Sequence, residues 1–301
     1  MTQHILITGG TGFIGQRLCP ELLKRGYRLT VFSRRTDDDV RARCGRVNTL
    51  HTLADLRNLD ALDAVINLAG EGLASARWTE KRKRVLRESR IDLTRELIDQ
   101  LEKSPLRPAT FISGSAIGYY GSHGGEPVTE DAPVNDDFAH RLCADWEAEA
   151  RRARQLGCRV CLSRTGVVLG PDGGMLERLL LPFRLGLGGR LGDGQQYLSW
   201  VHRDDVVNAL IWMLQTPDAS GAYNVVSPHP VTNRTFTRTL GRVLHRPTPF
   251  PVPAFVLRTA LGELSAMLLE GQRVMPARLQ QAGFGFTHPD LEDALRSIIG
   301  G

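Results

Sequence analysis

No stretch of this chain is apolar for long enough to span a bilayer, so it offers no candidate transmembrane helix. The N-terminus runs into a strand-like His4-Ile5-Leu6-Ile7 without a basic region followed by an apolar signal segment. A cytoplasmic protein is therefore expected, or one whose targeting sequence lies outside these residues. Cysteine is scarce: five, an odd number, supply no disulfide scaffold. Cys158 and Cys161 form a CxxC, but no second CxxC or nearby His completes a metal site. No metal is expected, and the two thiols should be buried in a strand on opposite faces. Aromatic residues make up only 6% of the 301. The strongest basic run, Lys81-Arg82-Lys83-Arg84 with Arg87 and Arg90, has only Trp78 nearby. Its charges spread around a helix and lack stacking partners, so it reads as a solvated face and not as a nucleic-acid site. Neither an internal repeat nor a low-complexity segment is visible.

What the chain does contain is an ordinary globular composition, 42% hydrophobic and 24% charged, with a net charge of +5 that suits small anionic ligands. Its first half alternates strands and helices. Strands are expected at Arg28–Phe32, Val47–His51, Asp63–Leu68, Ala109–Ser113 and Arg159–Ser163, and helices at Phe13–Lys24, Glu80–Glu102 and Phe138–Gln155. Strands separated by helices of this length give parallel β-α-β units, hence an α/β, Rossmann-like doubly wound sheet with ligands at the strands' C-terminal ends. After Thr165 the composition turns rich in Gly and Leu. A helix near Met175–Leu185, a strand at Tyr197–Val201, a helix at Asp204–Leu214, a strand at Tyr223–Val226 and a helix at Thr232–Leu244 follow. We expect a cofactor domain over 1–165, with parts of 195–226 returning to it, and substrate-side segments over 166–246. The Gly-rich 186–194 stretch is either a lid or a plain connecting loop. A small helical C-terminal domain should occupy 247–301.

The organising stretch is Thr8-Gly9-Gly10-Thr11-Gly12-Phe13-Ile14-Gly15, between the first strand and the first helix. Such a turn presents backbone N–H groups and the positive end of a helix dipole to a pyrophosphate. The second strand ends Val31-Phe32-Ser33-Arg34-Arg35 and has no carboxylate at its tip. An Asp or Glu there would bond the ribose hydroxyls of NAD, whereas an arginine fork binds the 2′-phosphate of NADP(H). NADP(H) is the expected cofactor, with Arg34 as the main contact.

These motifs together resemble the extended short-chain dehydrogenase/reductase superfamily. Thr8–Gly15 looks like its cofactor turn, Asn67-Leu68-Ala69-Gly70 like the tetrapeptide ending its fourth strand, and Trp200-Val201-His202-Arg203-Asp204-Asp205 like its V-H-V-D-D segment. Gly118-Tyr119-Tyr120-Gly121, Asp145-Trp146-Glu147, Arg164-Thr165-Gly166-Val167-Val168-Leu169, Pro182–Gly189 and Gly271-Gln272-Arg273-Val274-Met275-Pro276 narrow the likeness. They resemble an atypical "epimerase family" branch, nucleoside-diphosphate-sugar-epimerase-like, whose members carry a C-terminal domain of unknown function. The resemblance implies an NADP(H) site formed by Gly9, Thr11, Gly12, Phe13, Ile14, Gly15, Ser33, Arg34, Arg35, Leu68, Ala69, Gly70, Arg90 and Val167.

It also exposes an anomaly. The superfamily's Tyr-x-x-x-Lys pair belongs on the helix Asp137–Glu147, where the matching positions hold Ala139 and Cys143. Alanine has no proton to transfer, and a neutral thiol supplies no fixed charge. Ser115 matches the family's substrate-bonding hydroxyl, and Tyr119 or Tyr120 could supply the missing phenol, aided by a charge from Arg90 or His140. His202 reads as structural and Asp204 or Asp205 as a helix cap. The expected function is an NADP(H)-dependent oxidoreductase or epimerase-like enzyme acting on a carbonyl or nucleotide-sugar-like small molecule. Its alternative is a catalytically weak NADP(H)-binding regulator, suggested by the branch's cell-division label. No nucleic-acid or membrane partner is expected, and a homodimer is left open.

Overall fold

A computed structural model describes residues 2–300. Seven parallel strands form the central sheet: β1 (His4–Thr8), β2 (Arg28–Phe32), β3 (Asn48–Leu50), β4 (Ala64–Asn67), β5 (Thr110–Ala116), β6 (Arg159–Thr165) and β7 (Gly221–Val225). Their order is β7-β6-β5-β4-β1-β2-β3. The order reverses between β1 and β4, so the crevice opens where the Gly-rich turn leaves β1.

Alternation along the strands divides the core. Ile5, Ile7, Val31, Ile66, Ile112 and Cys161 line one face, under Leu18 and Leu22 of α1 (Gly15–Lys24) and Val206, Leu210 and Met213 of the helix Arg203–Gln215. Leu6, Val65, Phe111, Val160 and Leu162 line the other, under Leu97, Ile98 and Leu101. Burial of both faces is what an all-parallel sheet requires. Cys161 on β6 and Cys158, one residue before the strand begins, are buried on opposite sides of the sheet.

The structure departs from the sequence expectations at informative places. β5 and β6 each run two or three residues further than expected, which puts Ser115 and Arg164 on strands. The long helix expected over 80–102 is two α-helices, Glu80–Arg87 and Leu93–Lys103, joined by a π-helical turn at Glu88–Asp92. Such turns reorient side chains, and this one carries Arg90. The basic run is laced into ion pairs, Lys83 with Glu263 at 2.7 Å and Arg87 with Asp145 at 2.7 Å.

The C-terminal residues do not form a separate core. Gln272–Val274 is a strand pairing in parallel with Gly124–Val128, Phe284 and Phe286 join the main-sheet core, and Leu291–Ile299 packs on the helix Asn233–Val243. Neither of the two paired strands was expected, because both lack alternating apolar residues. The segment 186–194 is pinned by main-chain hydrogen bonds: Gly192 N–H donates to Val252 O, and Val252 N–H to Arg190 O. Among the described residues no helix is long and apolar enough to cross a membrane.

Candidate active site

The Gly-rich turn is shaped by close main-chain approach. Gly9 has φ +70°, and a Cβ there would lie 2.6 Å from the Leu68 carbonyl carbon and 2.8 Å from Ala69 N. A Cβ on Gly15 would overlap the Gly9 and Gly10 carbonyl oxygens. Gly12 is exposed and meets only Gly9 O, so the outer side of the turn is open. Thr8 Oγ1 donates to Asn67 Oδ1 at 2.6 Å and accepts from Ala69 N–H, which fastens the Leu68-Ala69-Gly70 segment beside the turn. The first turn of α1 has no side-chain cap and no acidic residue. Its uncapped N–H groups and the open Gly12 side fit a dinucleotide pyrophosphate. The Phe13 ring faces away, against Gly170, Gly173 and Gly174, and Ile14 packs on the core. Polar contact from Phe13 and Ile14 is thus limited to their main chain, whereas the Thr11 carbonyl accepts from Gln16 and the hydroxyl of this half-buried residue makes no hydrogen bond among the described residues.

At the tip of β2 the two arginines divide. Arg35 is engaged with Asp39 at 2.7 Å, while the Arg34 side chain is 90% exposed and meets only Glu71, at 3.7 Å. Ser33 Oγ accepts from Arg35 N–H and keeps its own proton available. Asp37, Asp38 and Asp39 open the helix Asp37–Cys44, capped by Thr36. Arg90 is nine-tenths buried, its guanidinium packed against Gly70 and 5.5 Å from the Trp146 ring. It donates to the carbonyls of Glu71 and Leu86 and has no carboxylate partner among the described residues. Burial pushes this guanidinium below its usual range. Val167 begins the strand Val167–Leu169, paired with Trp200–His202, and its side chain packs into an apolar cluster.

At the end of β5 the site is a buried polar network. Ser115 Oγ–H donates to Glu147 Oε1 at 2.7 Å. Arg164 grips the same carboxylate with two hydrogen bonds, Nε to Oε1 at 2.8 Å and Nη2 to Oε2 at 3.0 Å, and Arg151 adds a third at 2.7 Å. Glu147 is wholly inaccessible. Arg164 Nη1 also donates to the Tyr120 hydroxyl, which donates to Asn224 Oδ1 at 2.6 Å. Burial pushes the Tyr120 phenol up to about 12 despite the adjacent Arg164. Tyr120 thus acts as a buried strut between β5, β6 and β7. Tyr119 differs. Arg164 Cζ lies over its ring, 3.4 Å from the centroid, and the hydroxyl of this half-buried residue has no hydrogen bond among the described residues. His140 Nδ1 meets Tyr119 O at 2.5 Å. The charge beside Tyr119 therefore comes from Arg164, not from Arg90.

Ala139 and Cys143 have a structural reason. Gly118 lies directly on them: a Cβ there would be 3.2 Å from Ala139 Cβ and 3.7 Å from Cys143 Sγ. The turn Ile117–Tyr120 packs on this helix, and the small residues Gly118, Ala139 and Cys143 allow its close approach. Cys143 is fully buried, and burial and the Glu147 charge push its thiol up to about 12, so it stays neutral.

Glu147 and Arg164 carry functions that their motifs alone do not reveal. The available signal was a glutamate on the otherwise apolar face Leu142, Cys143, Trp146, Ala150. The helix-cap expectation is also corrected. His202 Nδ1 accepts from Asp204 N–H, Asp204 pairs with Arg17 at 2.7 Å, and Asp205 accepts from Thr287 and His288 N–H. His202, Asp204 and His288 could surround a cation by proximity. However, Arg17 occupies both Asp204 oxygens and His202 Nδ1 is engaged, so the cluster is an ion pair beside two imidazoles in tilted contact.

Comparison with known proteins covers nearly the whole chain. The profile of the NAD dependent epimerase/dehydratase family matches residues 5–226, and that of a domain of unknown function, DUF1731, matches 252–298. Epimerase family protein YfhF of Bacillus subtilis is 38% identical over 298 residues, covering 98% of each chain. Epimerase family protein Mb2239 of Mycobacterium bovis is 40% identical, over 97% of this chain and 96% of that one. The crystal structure of human epimerase family protein SDR39U1 with NADPH superposes with a TM-score of 0.90 at 35% identity, over 99% of this chain and 100% of that one.

Proposed function

The chain belongs to the NAD dependent epimerase/dehydratase family, and from that membership we propose that it is an NADP(H)-dependent oxidoreductase or epimerase-like enzyme whose proton donor is Tyr119. One observation carries the reading. The Gly9–Gly15 turn, the Leu68–Gly70 segment and the Ser115–Tyr119 segment leave three adjacent strands, β1, β4 and β5, at the same sheet edge. NADPH in the human relative supports the cofactor, as do the exposed Arg34 and the Ser33 hydroxyl at the tip of β2. Arg34 would hold the 2′-phosphate, the free N–H groups leading into α1 would hold the pyrophosphate, and Arg90 would serve the nicotinamide end of the cofactor. When bound, the nicotinamide supplies or accepts hydride at a substrate carbon bearing oxygen.

The protein's own residues then handle the oxygen. In the reductive direction Tyr119 gives its phenolic proton to that oxygen. The guanidinium lying on its ring opposes the negative charge left behind, although Glu147 shares that charge. Ser115 holds the substrate oxygen. With its proton on Glu147 it accepts from a substrate hydroxyl; to donate to a carbonyl it must turn away from Glu147. That turn leaves the carboxylate three hydrogen bonds from Arg164 and Arg151. Substrates are small carbonyl compounds or nucleotide-sugar-like molecules.

NADPH oxidation over a panel of such compounds tests the assignment. Tyr119→Phe should lower kcat about 10²- to 10⁴-fold with NADPH affinity unchanged, the usual effect of losing a general acid. Full turnover by Tyr119→Phe would remove the phenol from the mechanism. Tight NADPH binding without turnover of any substrate would favour a cofactor-sensing regulator.

A further inference from the structure

A cationic cavity lies outside the cofactor and Tyr119 regions. It has a volume of about 310 Å³ and is lined by Arg190, Arg234, Arg238, Thr237, Thr248 and two prolines, Pro249 and Pro251. Among the described residues, none of the three arginines forms an ion pair. Arg242 by contrast is paired with Glu292, and Arg246 is fixed on the Arg184 carbonyl. The nearest acidic residue in sequence, Asp193, turns its carboxylate to Gln195 N–H and offers Arg234 only a main-chain carbonyl.

Two features show the cavity to be built. Gly194, at φ +73°, lies between two arginine stems. A Cβ there would be 3.1 Å from Arg234 Cβ and 3.2 Å from Arg190 Cδ, so the glycine lets both side chains converge. Arg234 Nε is buried and has no hydrogen-bond partner among the described residues. Leu191 N–H donates to Asn233 Oδ1 and Arg234 N–H to Gly194 O, which fixes the 190–194 segment against the start of the helix Asn233–Val243. Three guanidiniums sharing one concavity repel one another unless an anion enters, and a buried N–H without a partner is costly.

We propose that this cavity is a binding site for a small molecule bearing a phosphate or diphosphate group. Arg190, Arg234 and Arg238 supply the charge and forked donors, Thr237 and Thr248 supply hydroxyls, and the prolines form the apolar rim. Planar guanidiniums match phosphate oxygens bidentately. The 190–194 segment, the helix Asn233–Val243 and the 247–253 segment are already held together by main-chain hydrogen bonds, so the arginines converge on a preformed site that an anion can bridge. No hydrogen bond or ion pair links the cavity arginines to the Gly-rich turn, Arg34 or Glu147, so the site stands independently of the proposed function.

The test is calorimetric titration of the NADPH-saturated protein with inorganic pyrophosphate at constant ionic strength. Saturated cofactor blocks the turn at Gly12 as a competing phosphate site. One saturable site per chain is expected. Arg234→Ala should weaken it about tenfold or more, as loss of a charge-assisted hydrogen bond does. Arg190→Ala, at an exposed side chain, should weaken it in the same direction and provides a variant that folds even if Arg234→Ala does not. NADPH affinity should stay the same in both. Absence of saturable pyrophosphate binding, or binding that neither variant weakens, would overturn the assignment.

Discussion

Around Gly9–Gly15 the site is made almost wholly of main chain, whereas around Ser115 it is made of side chains drawn from β5, the turn Ile117–Tyr120, the helix Phe138–Arg151, β6 and β7. The first depends on residues that have no side chain and on a helix start left uncapped. The second depends on a buried carboxylate whose oxygens are shared by Ser115, Arg164 and Arg151, with Tyr120 and Asn224 extending the chain. A main-chain cradle can be altered by adding one carbon. A buried ionic network fails when one charge is removed, because its partner is left uncompensated. The two halves should therefore break in different ways and by different amounts.

The largest effect is expected at the network. Glu147→Ala strands the buried Arg164 guanidinium and should lower stability by about 3–5 kcal/mol, read by urea unfolding. A loss within about 0.5 kcal/mol would mean that water replaces the carboxylate and that the network is looser than its burial implies.

His202 gives the next effect, in a part of the molecule that joins the C-terminal segment to the sheet. Burial first, and the adjacent His288 second, hold its imidazole at about 4, below the ordinary 6.5. Between these values the unfolded chain binds a proton that the folded chain does not. The contribution is thus complete above pH 6.5 and is lost as pH falls toward 4, at a cost of about 3 kcal/mol. Unfolding measured at pH 7.5 and pH 5 should show a steeper acid loss in the native protein than in His202→Asn. Identical slopes would place that titration elsewhere. At the cradle, Gly15→Ala puts a methyl into the Gly9 and Gly10 carbonyls, and should cost about 1–3 kcal/mol and reduce NADPH affinity with it.

This contrast also explains what could be read from the amino acids. The cradle was legible because its requirement is local: glycines at fixed spacing between an apolar run and a helix. The seven-strand core was legible because alternation at Ile5-Leu6-Ile7 and Val160-Cys161-Leu162 assigns each residue a face. The network was not. Glu147 and Arg164 meet across two elements, and nothing in either segment alone marks the other as a partner. His202 and His288 likewise meet only in the fold. The π-helical turn at Glu88–Asp92 was hidden because its residues keep a helical pattern. Ala139 and Cys143 read as losses on the helix, and become intelligible once Gly118 is seen resting on them.

The smallest of these effects bears most directly on the cofactor. Arg34 is exposed, its ion pair with Glu71 is long, and a single charge-assisted contact to a 2′-phosphate is worth about tenfold in affinity. Titration of NADPH and NADH against the native protein and Arg34→Ala tests it. NADPH should bind at least about tenfold more tightly than NADH, and Arg34→Ala should erase that difference while leaving NADH unchanged. Equal affinity of the native protein for the two cofactors would contradict the account.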